Sequence, residues 1–296
     1  MNFRRSSARE VARDITYAGS AATRGGRAMI RVMENATGRL RLIRRAKGYE
    51  LEVADGRDFW EVMADRYGLS RKVIGGSLEI IPREGPLILI ANHPYGILDG
   101  LMMGLILSGI RGDFRILANQ VFKKADDLNR IILPVSFDET KEAMRQNLQT
   151  RQEALRYLAG GGAIGVFPGG TVSTSATPFS RPLDPGWRSF TAKMISRSDA
   201  AVVPMYFVGH NSRLFQLASH LHTTLRMGLL IKEFKKRVNK PVEVGIGAPI
   251  PQSRLEPYRK DARAMMDFLR AETYALSPLP MNAAGYGFEF EEKHRS

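Results

Sequence analysis

The sequence predicts an α/β fold in which a mixed, largely parallel central sheet is flanked by helices and preceded by a basic helical N-terminal arm. Short apolar runs typical of buried strands alternate along the chain with longer segments of helical periodicity. The 296 residues, 44% hydrophobic and 25% charged, suffice for one large domain with a buried core. Most of the basic excess lies in the first 47 residues, which sets that arm apart.

Three parts are expected: a basic amphipathic arm over residues 1–57, a globular domain over residues 58–277 and a loosely held tail over residues 278–296. Asp58 is placed to cap a helix that ends at Tyr67. The predicted strands cover residues 78–81, 87–91, 115–118, 163–167, 201–208 and 242–246. The other predicted helices cover residues 99–107, 141–158, 187–196, 225–238 and 261–274.

The arm has two interpretations. Its first 47 residues hold twelve Arg or Lys and three acidic residues, a net charge of +9 out of the chain's +14. Apolar residues occur among the arginines of residues 28–45, and Gly38 interrupts the run, so one or two short amphipathic helices are expected. Such helices could anchor the protein on an anionic membrane. They could equally form a solvated basic face or pack on the domain.

Composition excludes several kinds of chemistry. The chain has no cysteine, and therefore no disulfide, thiolate nucleophile or cysteine-ligated metal. A net charge of +14 and a pI of about 10.2 indicate a polyanionic partner, such as nucleic acid, an anionic membrane or a phosphorylated small molecule. Residues 1–12 lack the apolar core of a secretory signal. The most apolar stretch, residues 101–110, is shorter than the ~20 residues of a membrane-spanning helix.

The first candidate site surrounds His93. A buried strand ends at Asn92, so His93 follows at its carboxyl end, where open α/β sheets bind their ligands. Pro94 and Gly96 favour a tight loop before the next helix. Helix faces repeat every three to four residues, so a spacing of six requires this loop to fold back if the Asp99 carboxylate is to reach the imidazole.

A histidine in contact with a carboxylate can act as a general base. An imidazole with its ordinary pKa of about 6.5 accepts a proton from an alcohol at neutral pH. A carboxylate on the other ring nitrogen fixes the tautomer and stabilises the imidazolium. Such catalysis contributes roughly 10²–10⁴-fold in rate. The residues alone leave an equal alternative, in which an ordinary loop histidine lies beside a helix-capping Asp99.

The second candidate site is a loop rich in glycine and hydroxyl side chains that follows the strand predicted at residues 163–167. Gly169, Gly170 and Thr171 offer backbone N–H groups and a small donor that could hold an anion or an oxyanion. The loop lacks the glycine and lysine spacing of a P-loop or a dinucleotide fingerprint. Taken alone, it is better explained as a surface turn.

Four segments occur in a fixed order: residues 92–100 with His93 and Asp99, residues 115–119, residues 167–171 and residues 202–206. Together they resemble the four sequence blocks of the bacterial lysophospholipid acyltransferase superfamily, over about residues 70–250. The resemblance implies that His93 is the catalytic base and that Asp99 orients it. It also implies substrate-binding roles for Asn92, Asn119, Phe167, Pro168, Gly169, Gly170 and Thr171.

The resemblance further implies an O-acyltransferase of lipid biosynthesis. It would move a fatty acyl group from acyl-CoA or acyl-carrier protein to the hydroxyl of a lysolipid, either a lyso-ornithine lipid or a lysophospholipid. No metal or cofactor and no nucleic acid are expected. The protein would work as a peripheral protein on the anionic surface of the inner membrane, at its cytoplasmic face.

Departures from the family pattern bear on the acceptor. Five residues separate His93 from Asp99 instead of the usual four, a form similar to the branch that includes ornithine-lipid O-acyltransferases. Gly169 stands where the third block has Glu, and Val172 stands where it has Arg. In the family these residues are associated with acceptor binding, and loss of the Arg removes a bidentate phosphate donor. We therefore expect a lyso-ornithine lipid or another lyso-aminolipid, not plain lysophosphatidic acid.

Other residues have weaker signals. Arg213 follows the strand predicted at residues 201–208 and is a candidate anion contact at the site mouth, with a surface arginine in a turn as the alternative. His220 and His222 lack a nearby third metal ligand and are expected to be structural. An apolar run at residues 101–105 could line an acyl channel, although core packing is the commoner role.

Three rival functions stay open. The basic arm suggests a nucleic-acid-binding protein, although no recognised binding motif supports it. The same His93–Asp99 pair could use water and act as a thioester hydrolase, although the chain lacks a serine nucleophile elbow. The altered third block also leaves open a catalytically silent lipid binder.

Overall fold

The computed structural model describes residues 16–21, 23–119, 126–136, 140–282 and 284–289. The strands among them are β1 (Ser70–Gly75), β2 (Leu87–Ala91), β3 (Arg115–Asn119), β4 (Ile132–Val135), β5 (Ala163–Val166), β6 (Thr174–Ser175), β7 (Pro182–Leu183), β8 (Ala201–Phe207) and β9 (Pro241–Ile246). Seven of them form one sheet in the order β1-β9-β8-β2-β5-β3-β4. Strands β6 and β7 form a separate antiparallel pair.

Strand direction places three loops together. Within the seven-stranded sheet, the β8–β9 pair is antiparallel and the other neighbouring pairs are parallel, which confirms the predicted mixed, largely parallel sheet. Strand β2 lies between β5 and β8, with Ile88 opposite Ile164 and Val202. Because these three strands run in the same direction, the loops that leave their carboxyl ends meet at one edge of the sheet.

Helices cover both faces of the sheet. They are α1 (Arg24–Thr37), α2 (Arg39–Ala46), α3 (Tyr49–Ala54), α4 (Phe59–Tyr67), α5 (Ile97–Ile110), α6 (Asp126–Asn129), α7 (Lys141–Ala159), α8 (Ser189–Ile195), α9 (Arg213–Leu221), α10 (Thr223–Arg237), α11 (Gln252–Leu255) and α12 (Ala262–Tyr274). Side chains of β2 alternate between two buried clusters, with Leu87 and Leu89 in one and Ile88 and Ile90 in the other. The sheet is therefore buried on both sides, as parallel sheets usually are.

Helix α5 follows the His93 loop and is apolar nearly all round, which is typical of a fully buried helix. Its side chains at Leu101, Met102, Met103 and Leu105 belong to the core and are at most 8% exposed. A Cβ at Gly104 would lie 2.1 Å from the Trp60 ring of α4, so the close approach of these helices requires glycine. The structure thus gives the 101–105 run a packing role.

The described part of the arm forms a 3₁₀ turn at Ala18–Ser20 and helices α1, α2 and α3. Gly38, at a φ of 133°, separates α1 from α2 as the sequence predicted. Ile30 and Leu42 point inward and join the domain core, and α1 packs against α10. Four large apolar side chains of the arm helices are exposed to solvent. These side chains, the arm patch, are Met29, Val32, Leu40 and Leu51, which are 53–73% exposed.

Several sequence predictions needed correction. Residues 78–81 were predicted as a strand, but Leu78–Ile80 forms a 3₁₀ turn that Ser77 caps through Glu79 N–H. Strand β1 was missed because it is a polar, exposed edge strand without the apolar alternation of a half-buried strand. Strand β4 was also missed; its Pro134 is tolerated because β4 is the other edge of the sheet.

The C-terminal segment lies against the domain. Gly287 N–H donates to the Asp184 carbonyl at 2.8 Å, and Phe288 N–H donates to the Thr174 carbonyl at 3.2 Å. Glu289 forms an ion pair with Arg188 at 2.6 Å. The described residues 284–289 are therefore bound next to β6 and β7, in contrast to the loosely held tail expected from sequence. Within the described residues, the helices are too short or too polar to span a membrane.

Candidate active site

His93 lies at the carboxyl end of β2, in the loop between β2 and α5. The loop turns at Gly96, whose φ of 95° favours glycine, and α5 begins at the next residue. Asp99 consequently lies in the first turn of α5. The loop folds back as the spacing required and brings the carboxylate to the imidazole.

Two main-chain donors fix the Asp99 carboxylate. Its Oδ2 accepts hydrogen bonds from the N–H groups of Tyr95 at 2.7 Å and Gly96 at 2.9 Å. These are donors at a helix N-terminus, which favours an acidic side chain there. Asp99 is fully buried, and this burial raises its pKa, against the opposing effects of His93 and the two main-chain donors.

The dyad itself is compact. Nδ1 of His93 lies 3.0 Å from Oδ2 of Asp99, although the ring N–H is poorly aligned with that oxygen. Misaligned catalytic contacts are common without substrate and tighten when it binds. The His93 side chain is 18% exposed, while its ring stacks on Phe167 with centroids 4.4 Å apart. The ring is thus held between a carboxylate and an aromatic face, with one part open to solvent.

The glycine-rich loop leaves β5, the neighbour of β2, and meets the His93 loop. Gly170 N–H donates to the Phe167 carbonyl at 3.0 Å, and a φ of 70° at Gly170 completes this turn. Further along, Ser173 N–H donates to the His93 carbonyl at 2.8 Å. The two predicted segments, about 75 residues apart in sequence, therefore form one site.

Asn92, predicted to bind substrate, uses its side chain within the sheet. Its side-chain N–H donates to the Phe207 carbonyl at 2.9 Å, and its side-chain oxygen accepts the Phe207 N–H at 2.7 Å. The residue is 2% exposed, so its amide replaces a pair of sheet hydrogen bonds between the ends of β2 and β8. The Asn92 side chain thus joins the ends of β2 and β8 next to His93.

The other residues of the third block differ in accessibility. Pro168 and Gly169 are buried, and the Pro168 carbonyl accepts the Arg188 N–H. Phe167, Gly170 and Thr171 are half-buried and lie nearer the surface. Asn119 ends β3, and its side chain lies outside the described part of the structure.

The side chains of Arg213, His220 and His222 all make hydrogen bonds within the protein. Arg213 begins α9, and its guanidinium donates to the carbonyls of Phe179 and Ser180, at 2.9 Å each. His220 Nε2 lies 2.9 Å from the Ser175 carbonyl. His222 caps α10 by accepting the Thr224 N–H at 3.0 Å. The histidines thus have the structural roles expected of them.

Three buried polar residues near the dyad were not predicted. The Asp184 carboxylate accepts the His93 N–H at 3.1 Å, and Tyr17 Oη accepts the Ile97 N–H at 3.2 Å. Arg226, expected on a basic helix face, is instead 1% exposed and donates to Val172 and Thr171 at 2.8 and 3.1 Å. All three lie outside the four blocks in sequence, and the fold brings them to the dyad.

Comparison with known proteins assigns the chain to a family. The family model described as Acyltransferase matches residues 40–280, and the chain belongs to this family. It is 27% identical over 232 residues to a lyso-glycine lipid O-acyltransferase of Phocaeicola vulgatus, covering 75% of this chain and 78% of the relative. It is 25% identical over 221 residues to the enzyme so named from Bacteroides thetaiotaomicron, covering 70% of this chain and 76% of the relative.

A structural comparison found the 1-acyl-sn-glycerophosphate acyltransferase of Thermotoga maritima. The TM-score is 0.41 at 15% sequence identity, with 82% of this chain and 96% of that chain covered. The family match shows that the chain is an acyltransferase, and both relatives are named as lyso-glycine lipid O-acyltransferases.

Proposed function

We propose that His93 is the general base of this acyltransferase and that Asp99 orients it. The 3.0 Å contact between His93 Nδ1 and Asp99 Oδ2, in a site formed by the loops after β2 and β5, is the observation that carries the proposal. The contact leaves Nε2 as the ring nitrogen available to an acceptor hydroxyl. The partial exposure of the ring gives that hydroxyl access.

The reaction runs as direct transfer between substrates. His93 Nε2 accepts the proton of the acceptor hydroxyl while its oxygen attacks the carbonyl carbon of an acyl thioester, from acyl-CoA or acyl-carrier protein. The tetrahedral intermediate collapses with cleavage of the carbon–sulfur bond. The imidazolium returns the proton to the leaving thiolate, so the enzyme ends unchanged. Asp99 stabilises the imidazolium in between.

For the acceptor we propose a lyso-aminolipid, with lyso-ornithine lipid or lyso-glycine lipid as the forms to test. Val172 is buried where the family has Arg, and the nearby Arg226 guanidinium donates to the loop at Thr171 and Val172. Both relatives named above carry the name lyso-glycine lipid O-acyltransferase, which supports an aminolipid acceptor.

We also propose that the protein binds the membrane peripherally, at the cytoplasmic face of the inner membrane. The arm patch exposes Met29, Val32, Leu40 and Leu51 on the outside of α1–α3. Exposed arginines lie on the same helices at Arg24, Arg27, Arg41 and Arg44. Apolar side chains flanked by arginines suit an anionic bilayer surface.

The proposal is tested with purified protein, radiolabelled acyl-CoA or acyl-carrier protein, and a panel of acceptors. The panel contains lyso-ornithine lipid, lyso-glycine lipid and lysophosphatidic acid. Acylation of an aminolipid in preference to lysophosphatidic acid is the expected result. Preference for lysophosphatidic acid would refute the acceptor assignment, and release of free fatty acid without transfer would indicate a thioester hydrolase.

A further inference from the structure

Asp184 is the polar residue that connects the two halves of the site. It is fully buried in the segment between β7 and α8. Its Oδ1 accepts the main-chain N–H of His93 at 3.1 Å and the hydroxyl of Ser173 at 2.5 Å. Its Oδ2 accepts the indole N–H of Trp187 at 3.0 Å. One carboxylate therefore holds the base-bearing loop, the glycine-rich loop and the start of the following segment together.

Other groups hold Asp184 in turn. Its own N–H donates to Tyr274 Oη at 2.8 Å, and its carbonyl accepts the N–H of Gly287 at 2.8 Å and a guanidinium N–H of Arg270 at 3.2 Å. Helix α12 and the C-terminal segment thus fix the main chain of Asp184. A rigidly held carboxylate is suited to positioning another loop.

The Asp184 carboxylate lies directly beside Gly169. A Cβ built on Gly169 would lie 3.3 Å from Cβ and 3.4 Å from both Cγ and Oδ2 of Asp184. Gly169 is the position at which the resembled superfamily has Glu. The Asp184 side chain therefore lies in tight contact with the place that a Cβ at position 169 would take.

We infer that the buried Asp184 carboxylate, which lies beside Gly169, holds the two loops of the site in their working arrangement. Its role is that of a positioning residue, acting through the main chain of His93 and through Ser173. The inference rests on the proposed role of His93 as base. It accounts for Gly169 directly, because a glutamate there and an aspartate at 184 would compete for the same volume.

The inference predicts mutual suppression between two harmful substitutions. Asp184→Ala removes the shared acceptor, and Gly169→Glu alone collides with the existing carboxylate. Each single variant is expected to lose about 10- to 100-fold in kcat, as misplacement of a catalytic group typically does. The double variant returns a carboxylate to the vacated space, so its kcat should exceed that of Asp184→Ala by at least about fivefold, a coupling within the range seen for contacting residues.

Three controls separate this role from simple stabilisation. Gly169→Ala and Gly169→Gln, each combined with Asp184→Ala, fill the space without a carboxylate and should not restore kcat. Glu233→Gln alters another buried carboxylate, which holds Ser212 at the start of α9, and should leave kcat of the folded protein unchanged. Thermal unfolding reports the folded fraction of each variant. If Asp184→Ala does not fold, recovery of a cooperative unfolding transition by Gly169→Glu, and not by Gly169→Ala, is the corresponding rescue.

Chemical modification of His93 can be measured without catalytic turnover, so it tests the role of Asp184 separately from the proposed function. The rate at which diethylpyrocarbonate modifies His93, measured by mass spectrometry against pH, should change in Asp184→Ala and return toward wild type in the double variant. If acyl transfer by the wild-type protein did not depend on His93, the proposed function would be wrong. Normal kcat and His93 reactivity in Asp184→Ala, or a double variant no better than Asp184→Ala, would overturn the inference while leaving the proposed function intact.

Discussion

Asp99 is held by main-chain donors, and this has consequences for pH dependence. Burial raises its pKa above the ordinary value of 3.8. A carboxyl group whose pKa is higher in the folded state contributes stability below its unfolded pKa, and this contribution is lost as pH rises through the folded pKa. The charged form of Asp99 is thus tolerated for function at a cost in stability.

We therefore predict that Asp99→Asn separates activity from stability. The amide oxygen can still accept from Tyr95 and Gly96, but the side chain no longer stabilises an imidazolium, so kcat should fall roughly 10²–10⁴-fold. Because asparagine does not titrate, the melting temperature of the variant relative to wild type should rise from pH 4 to pH 7. A relative melting temperature that falls over this range would contradict the assigned pKa direction.

Replacement of Asn92 tests the hydrogen bonds that join the ends of β2 and β8. Asn92→Leu leaves the buried N–H and carbonyl of Phe207 without their side-chain partners. Each unpaired group should lower the free energy of unfolding by about 1–3 kcal/mol. Chemical denaturation should show this loss of stability. The KM for the lysolipid should change little, since the Asn92 side chain is buried and bonded to Phe207. A large rise in KM with unchanged stability would instead support its predicted role in binding.

At the scale of elements, the arm contributes to the site as well as to the surface. Tyr17 precedes α1, yet its hydroxyl accepts the Ile97 N–H in the first turn of α5, next to Gly96 and Asp99. Burial raises the pKa of Tyr17 above its usual range, so the phenol stays protonated at neutral pH. The arm thereby holds the helix terminus that carries Asp99.

Tyr17→Phe should accordingly lower kcat severalfold and cost about 0.5–1.5 kcal/mol in stability, the usual contribution of one hydrogen bond. The matched control is Tyr67→Phe, which alters another buried tyrosine, on α4 against Phe234. Steady-state kinetics with both variants decide the point. Equal kcat in Tyr17→Phe and wild type would mean that the arm packs on the site without affecting it.

The sequence was most informative where structure and function depend on neighbouring residues. His93 and Asp99 are six positions apart, and β2 and β5 are apolar runs, so loop and sheet rules were enough to place them. The contacts of Asp184 with His93, of Tyr17 with Ile97 and of Arg226 with Thr174 join residues 91, 80 and 52 positions apart, and no local pattern predicts them. Strand β1 was missed for a related reason, because its pairing with β9 and not its own polar sequence makes it a strand.

For the whole molecule, the arm patch predicts how the protein binds lipid. Replacing Met29, Val32, Leu40 and Leu51 together by serine should weaken sedimentation with anionic vesicles about tenfold or more, because the apolar face no longer enters the headgroup region. Added salt should weaken the binding of wild type by screening the arginines. The melting temperature should change little, since these side chains are already exposed.

A control at a different surface sharpens that experiment. Met144 and Leu148 on α7 are 60% and 46% exposed, and serine at both positions should leave vesicle binding unchanged. Equal losses in the two variants would indicate a general effect of surface apolarity. Unchanged binding in the arm variant would contradict membrane docking through the arm.

Single-turnover acyl transfer by wild type and by His93→Gln shows most directly whether the His93 imidazole acts as the general base. Both proteins would be given the same labelled acyl thioester and the preferred lysolipid, after thermal unfolding has shown that both are folded. The acyl-transfer rate of His93→Gln should be roughly 10²–10⁴-fold lower than that of wild type, with acceptor binding retained. A folded His93→Gln protein that transfers the acyl group at the wild-type rate would contradict this role of His93.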